Sequence, residues 1–334
     1  MNLVTGATGH IGNVLVRELL SNGKEVRALI LPGEDLTPLE GLAVDRVEGD
    51  VLDSGSLRKA FDGAGTVYHL AGIISILPGK NDRRVYRVNV GGTQNVVSAA
   101  LQAGVRRLVY TSSIHAIPRA PHGVTIDEAM AFEPGRASSA YDRSKAEASL
   151  AVLKAVQAGL PAVIACPTGV IGPYDFRRSE MGQLILDCMH KQFLFCVDGA
   201  YDFVDVRDVA QGLILAGEKG RVGETYILAG EQISISHLME TVQEISGSHS
   251  PRFKVPIRLA QQAASLMQAY YRLTRNRPLF TSYSLATVTG NSVISSAKAR
   301  RELGYQARSI RASIADSVHW FLANRRMSLG AIRG

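Results

Sequence analysis

Short runs rich in apolar residues alternate with longer stretches of helical spacing through the first two thirds of the chain. Residues 2–5 form the first run. The turn Thr5-Gly6-Ala7-Thr8-Gly9-His10-Ile11-Gly12 follows, then an amphipathic helix carrying Val14, Leu15, Val16, Leu19 and Leu20, stopped by Ser21-Asn22-Gly23. Residues 24–31, 44–49 and 66–70 read as the second, third and fourth strands, the last running into Ala71-Gly72. The pattern then predicts a helix over 82–103 and a fifth strand over 107–111 ending in Ser112-Ser113. A long loop over 115–136, a helix to about residue 159 and a sixth strand over 161–166 follow. The alternation lapses over 174–200, resumes over 202–210 and 225–228, and becomes mostly helical after Gly230. Strands that are apolar on both faces, each followed by a helix, predict an α/β fold around a parallel sheet.

Composition removes several alternatives. The chain has 334 residues, 46% hydrophobic and 20% charged, with 32 glycines, which fits a folded globular protein. No charged leader precedes an apolar run at Met1, so no signal peptide is expected, and no apolar stretch approaches membrane-spanning length. Cys166, Cys188 and Cys196 are odd in number and form no CxxC pair, as reduced cytoplasmic thiols would be. The eight histidines contain no HExxH; each, His10 included, is expected to be structural or on the surface, and no metal site is predicted. The net charge of +7 does not suggest nucleic acid, because of where it lies. Residues 245–301 hold no acid but nine basic residues, and outside them 28 basic residues face 30 acids.

The candidate chemistry sits at the ends of predicted strands and on one helix. A glycine turn between a strand and a helix lets a backbone approach a pyrophosphate, and the helix N-terminus offers it unpaired N–H groups. The end of the second strand normally chooses between NAD and NADP, through an acid or an arginine; Leu31 is neither, so the choice stays open. Asp50, after the third strand, suits either an adenine edge or a helix cap. Asn89 lies inside a helix among Val85, Val88 and Val90, which predicts partial burial. The Ser113 hydroxyl can donate to a substrate oxygen or bond its own turn. Tyr141 and Lys145 are four apart on a helix and share a face. An ammonium near a phenol favours the phenolate, so Tyr141 is the candidate acid/base.

Together these residues resemble the extended short-chain dehydrogenase/reductase family over nearly the whole chain. The TGATGHIG stretch at 5–12, Asp50-Val51, His69-Leu70-Ala71-Gly72, Asn89, Ser113 and the Tyr141/Lys145 pair carry the likeness. The branch like dihydroflavonol 4-reductase and 3β-hydroxysteroid dehydrogenase is the nearest, through the segments 167–173, 201–210 and Pro278-Leu279-Phe280-Thr281-Ser282-Tyr283-Ser284. The resemblance implies a Rossmann domain of a doubly wound parallel sheet over 1–173 and 202–229, and a smaller, mostly helical substrate domain over 174–201 and 230–334. It implies an NAD(P)-dependent oxidoreductase interconverting a ketone or aldehyde with an alcohol. Tyr141 would be the acid/base, Lys145 would lower its pKa and hold the nicotinamide ribose, Ser113 would orient the substrate oxygen, and Asn89 would support a relay water. The cofactor would lie on Gly6, Thr8, Gly9, His10, Ile11, Gly12, Leu31, Asp50, Val51, Leu70, Ala71, Gly72, Thr111, Pro167 and Val170 as well as Tyr141 and Lys145. A slight lean towards NADP comes with the resemblance.

Two other functions compete. A nucleotide-sugar epimerase with bound NAD usually has an arginine where Tyr201 stands, and the related dehydratases carry an acidic pair absent from Thr111-Ser112-Ser113. A non-catalytic dinucleotide sensor would not need Ser113, Tyr141 and Lys145 together. A small-molecule substrate is expected, lipid-like or anionic. The acid-free segment adds an expected peripheral membrane contact: Leu259, Ala263, Leu266, Met267 and Tyr270 recur at helical spacing between Arg252, Lys254 and Arg258 on one side and Arg272, Arg275 and Arg277 on the other. Its rival is an apolar face packed inside the substrate domain with solvated arginines. A homodimer is expected, because Val85, Val88, Val96 and Val97 and Ala146, Ala148, Leu150 and Leu153 exceed what one sheet face needs.

Overall fold

The computed structural model describes residues 1–74, 82–191, 193–264 and 281–324. Strands β1 (Asn2–Thr5), β2 (Val26–Ile30), β3 (Asp45–Glu48), β4 (Thr66–His69), β5 (Arg107–Thr111) and β6 (Ala162–Pro167) lie in one parallel sheet. Strand β7 (Gly169–Ile171), β8 (Leu194–Cys196) and β9 (Ala200–Asp205) lie outside it, and β10 (Thr225–Leu228) rejoins it beside β6. The sheet order is β10-β6-β5-β4-β1-β2-β3. Strand order reverses between β1 and β4, and such a switch point opens a ligand crevice at the strands' C-terminal ends.

Successive side chains of one strand point to opposite faces, and here both faces are covered. Leu3, Leu108, Tyr110 and Ile164 join one core with α2 (Ser54–Phe61), the helix α4 (Thr93–Ala103) and α5 (Ala140–Gln157). Val4, Val109, Val163 and Ala165 join the other, with α1 (His10–Ser21), α7 (Val206–Lys219) and the helix Ala297–Leu303. Truncating a fully buried leucine such as Leu108 costs about 2–5 kcal/mol in cores of this kind.

The helix expected over 82–103 has three parts: α3 (Asp82–Tyr86), a π-helical turn Arg87–Gly92, and α4. Asn89 sits in the π turn, a distortion frequent at functional sites. Strand β9, expected to resume the main alternation, instead joins β7 and β11 (Glu231–Ser234) in a separate three-stranded sheet. Strand β12 (Arg252–Lys254) pairs with β8, so among the described residues the part after Gly230 holds two short strands as well as helices. Helices α6 (Glu180–His190), α8 (Ile235–Ser246) and Ile310–Ala323 pack against one another through Ile185, Leu238 and Phe321. No helix of the described residues is long and apolar enough to cross a membrane.

Candidate active site

All seven strands of the main sheet are parallel, so β1, β4, β5 and β6 end along one edge, at Thr5, His69, Thr111 and Pro167. The loops after them converge there. Gly6 has φ +71°, and a Cβ on it would stand 2.7 Å from the Ala71 amide nitrogen of the loop after β4. A Cβ on Gly12 would lie 2.0 Å from the Gly6 carbonyl oxygen. Helix α1 starts after Gly9 with no side-chain cap and no acid in its first turn. Its first amides are thus left for an anion. A cradle that admits no Cβ, beside an uncapped helix end at the switch point, fits the pyrophosphate of a dinucleotide.

His69 ties two of these loops together. Thr93 Oγ1 donates to the Asn89 carbonyl at 2.6 Å, so it accepts the Nε2–H of His69, 3.0 Å away. Nδ1 is then an acceptor for the Thr5 hydroxyl at 2.7 Å, and Thr5 Oγ1 in turn accepts the Ala71 N–H at 3.2 Å. Burial pushes the His69 pKa down to about 3, with the Lys145 charge adding to the effect, so the ring is neutral. Asn89 is buried. Its Oδ1 accepts from the Ile73 amide at 2.7 Å, and its two amide hydrogens go to the Ile73 carbonyl at 3.0 Å and Ser144 Oγ at 2.9 Å. Ser144 Oγ donates to the Tyr141 carbonyl at 2.7 Å, which links the π turn to α5.

Ser139 caps α5, its Oγ accepting from the Asp142 amide at 3.0 Å, and this fixes the turn that carries Tyr141. Tyr141 and Lys145 are both buried on one face of the helix. Burial pushes the Tyr141 pKa up to about 12, against the neighbouring Ser113 hydroxyl, which lowers it. The same burial brings Lys145 down to about 8. Lys145 Nζ donates to the Thr111 carbonyl at 2.8 Å and lies 5.1 Å from the centroid of the Tyr110 ring. Desolvation governs the phenol, and the ammonium is turned to a backbone carbonyl rather than to it. Ser113 bonds its own turn, its Oγ accepting from the His115 amide at 3.2 Å, and lies beside the Tyr141 phenol.

The other residues expected at the cofactor divide. Thr8 is buried in the glycine loop, and Leu70 and Gly72 follow β4. Leu70 N–H bonds the Thr5 carbonyl at 3.1 Å, and a Cβ on Gly72 would lie 3.2 Å from Asn89 Oδ1. Thr111 Oγ1, at the end of β5, is buried with no partner among the described residues. Pro167 closes β6 and Val170 lies in β7. His10 is turned away from the loop, donating Nε2–H to the Pro173 carbonyl at 3.0 Å, while Ile11 packs on the core. Asp50 does not cap α2: its Oδ1 accepts from the Leu52 amide at 2.9 Å, and Asp53 is the cap. Val51 is buried and packs where a Gly92 Cβ would be. Leu31 is exposed just past β2, and its amide donates to Glu34 at 3.3 Å.

Sequence reading missed the wall beside Tyr141. Tyr201 stacks on His115 at 5.9 Å and 6°, and its Oη lies 3.1 Å from His115 Nε2. Tyr283, in the helix Ser282–Val288, donates to Asp142 Oδ1 at 2.7 Å and meets His115 at 5.6 Å. Ile114, Ile117, Ile126, Ile294 and Arg119 line the adjoining pocket. The sequence marks Tyr201 as part of the 201–210 segment and as the position of the missing epimerase arginine, not as a wall of the site. The signal that it faces His115 is not local, since 86 residues separate them. Of the segment 278–284, only Thr281 onward lies within the described residues.

Known proteins resemble this chain over nearly its whole length. The sterol demethylase protein B of Methylococcus capsulatus is 40% identical over 323 residues, covering 96% of this chain and 97% of that one. A Synechocystis protein provisionally named dihydroflavonol 4-reductase is 34% identical over 322 residues, 95% of this chain and 93% of its own. The crystal structure of gox2253 superposes with a TM-score of 0.86 at 34% identity, covering 98% of this chain and 99% of that one. The sequence model of the NAD dependent epimerase/dehydratase family matches residues 2–229, and the chain belongs to that family, the extended short-chain dehydrogenases/reductases.

Proposed function

We propose that this enzyme reduces a ketone, or oxidises the matching alcohol, on an apolar lipid-like substrate with a nicotinamide dinucleotide. The observation that carries the reading is the burial of Tyr141 and Lys145 on one face of α5, with Ser113 beside the phenol and the glycine cradle along the same sheet edge. A bound nicotinamide supplies the hydride. Tyr141, with its pKa raised, keeps its proton at neutral pH and donates it to the substrate oxygen, which Ser113 also bonds. Lys145, beside the Thr111 carbonyl, would hold the ribose, and Asn89 braces the π turn against α5. The isoleucines and the Tyr201, His115 and Tyr283 rings favour an apolar substrate over a sugar diphosphate, and the name of the Methylococcus relative points to a sterol-like one.

Residues 174–201 and 230–334 would supply the substrate-facing part. Peripheral membrane contact is supported by Leu259, 57% exposed beside an exposed Arg258, but Arg252, Lys254 and Lys298 are paired with Glu240, Asp198 and Glu224. Ala260 and Ala264 pack inward while Ala263 faces out, and Leu266, Met267, Tyr270, Arg272, Arg275 and Arg277 lie outside the described residues. Salt-sensitive sedimentation with anionic vesicles decides that point; no sedimentation at low salt removes it.

The central test is Tyr141→Phe, assayed with a sterol-like ketone and reduced cofactor. Turnover should fall by roughly a hundredfold or more with cofactor binding kept. Near wild-type turnover would end the assignment.

A further inference from the structure

Leu31 leaves the end of β2 with no side chain that reads a 2′-phosphate, yet a cation does reach that place. Arg177 comes from the segment after β7, far along the chain. Its Nη2 donates to Thr8 Oγ1 at 2.7 Å and to Glu34 Oε1 at 2.6 Å. Thr8 belongs to the glycine cradle. Glu34 is anchored at the strand end through the Leu31 amide. One guanidinium therefore bridges the two parts of the crevice that hold the pyrophosphate and the adenosine ribose in this fold. Asp35 lies in its field too: its carboxyl is held below the usual range first by the Thr37 amide and hydroxyl, with Arg177 adding to them.

The backbone shows that the reach of Arg177 is built. Tyr174 and Arg178, on either side of it, have φ +66° and φ +50°, a left-handed conformation that non-glycine residues rarely adopt. Tyr174 is fixed by the Arg17 guanidinium 4.7 Å above its ring, and its carbonyl accepts from Asn13 Nδ2 at 3.2 Å. Asp175 is buried and accepts from the Ser179 amide and hydroxyl. The turn is thus held at both ends while the Arg177 side chain, 47% exposed, crosses the mouth of the crevice.

We propose that Arg177 is the 2′-phosphate ligand of this enzyme and that Glu34 sets how strongly it acts. Glu34 competes for the guanidinium and repels the phosphate, while it suits the ribose hydroxyls of NAD. NADP binds by drawing Arg177 from Glu34 to its phosphate, which a planar guanidinium can grip with two bonds. The opposed pair gives the weak preference that Leu31 alone also suggested. This inference rests on the dinucleotide reading above.

Fluorescence titration of NADPH and NADH against wild type, Arg177→Met, Arg177→Lys and Glu34→Gln tests it without turnover. Arg177→Met should weaken NADPH about tenfold or more, and NADH about threefold at most through the lost Thr8 contact. Glu34→Gln should move the ratio of the two dissociation constants about tenfold towards NADPH. Arg177→Lys, which keeps the charge and needs no new packing, should fall between wild type and Arg177→Met. A ratio that stays within about twofold across the variants overturns the proposal. Failure of wild type to bind either cofactor would instead overturn the dinucleotide reading itself, a separate and distinguishable result.

Discussion

The ammonium of Lys145 lies 2.8 Å from the carbonyl oxygen of Thr111, the last residue of β5, and not on the phenol it was expected to activate. Its charge lies at the buried end of β5, and burial has brought its pKa down to about 8. Tyr141, pushed up to about 12, stays protonated well above that.

Reduction should therefore lose rate as pH rises through about 8, where Lys145 discharges while Tyr141 still holds its proton. Lys145→Met should lower kcat by roughly a hundredfold and remove this alkaline limb from the kcat/KM profile. A limb of the same midpoint in the variant would assign it to another group.

His69 predicts an acid-labile fold. Its pKa is lowered from 6.5 to about 3 by burial, so in that window the unfolded chain binds the proton that the folded chain refuses. Stability then falls as pH is lowered, by about 2 kcal/mol between pH 6.5 and 5 for one such group. In His69→Gln, an amide that can still donate to Thr93 and accept from Thr5, this component is absent. Its deficit against wild type in urea should shrink by that amount from pH 7 to pH 5. A constant deficit would show that His69 is not the titrating group.

Much of this was legible in the chain. The strand over 107–111 is observed as Arg107–Thr111, and the helix stop at Asn22-Gly23 is where α1 ends, because apolar runs and glycine stops are local signals. The Tyr141–Lys145 spacing is local as well. The π turn at Arg87–Gly92 was not legible, since its apolar spacing over two turns is close to that of an α-helix. Nor was the placement of β9, because an apolar run does not say which sheet it joins. Arg177 and Glu34 are 143 residues apart, and Tyr283 and Asp142 are 141 apart; only the folded chain brings such partners together.

The homodimer is a prediction whose grounds the structure changes. Val85, Val96 and Val97 on α3 and α4, and Ala146 and Ala148 on α5, are buried within the protomer, and Val88 and Leu153 pack against its core. They leave no surplus for a partner. What stays outside is Leu150 on α5, 41% exposed, and Tyr86 on α3, 48% exposed. The Tyr86 hydroxyl lies beside the Glu147 carboxylate, so the aromatic ring lies along α5 one turn before Leu150. Leu101 on α4 adds a third exposed apolar side chain, 38% exposed. Helices α3, α4 and α5 pack side by side, and a self-complementary pairing over a two-fold axis would cover such a strip on both copies at once. The wild-type protein should sediment as a dimer at micromolar concentration. Leu150→Arg would bring like charges together near the axis and should give monomer with an unchanged circular dichroism spectrum. Monomer from the wild type at that concentration rules the dimer out, and a Leu150→Arg dimer as stable as wild type places any interface on another face.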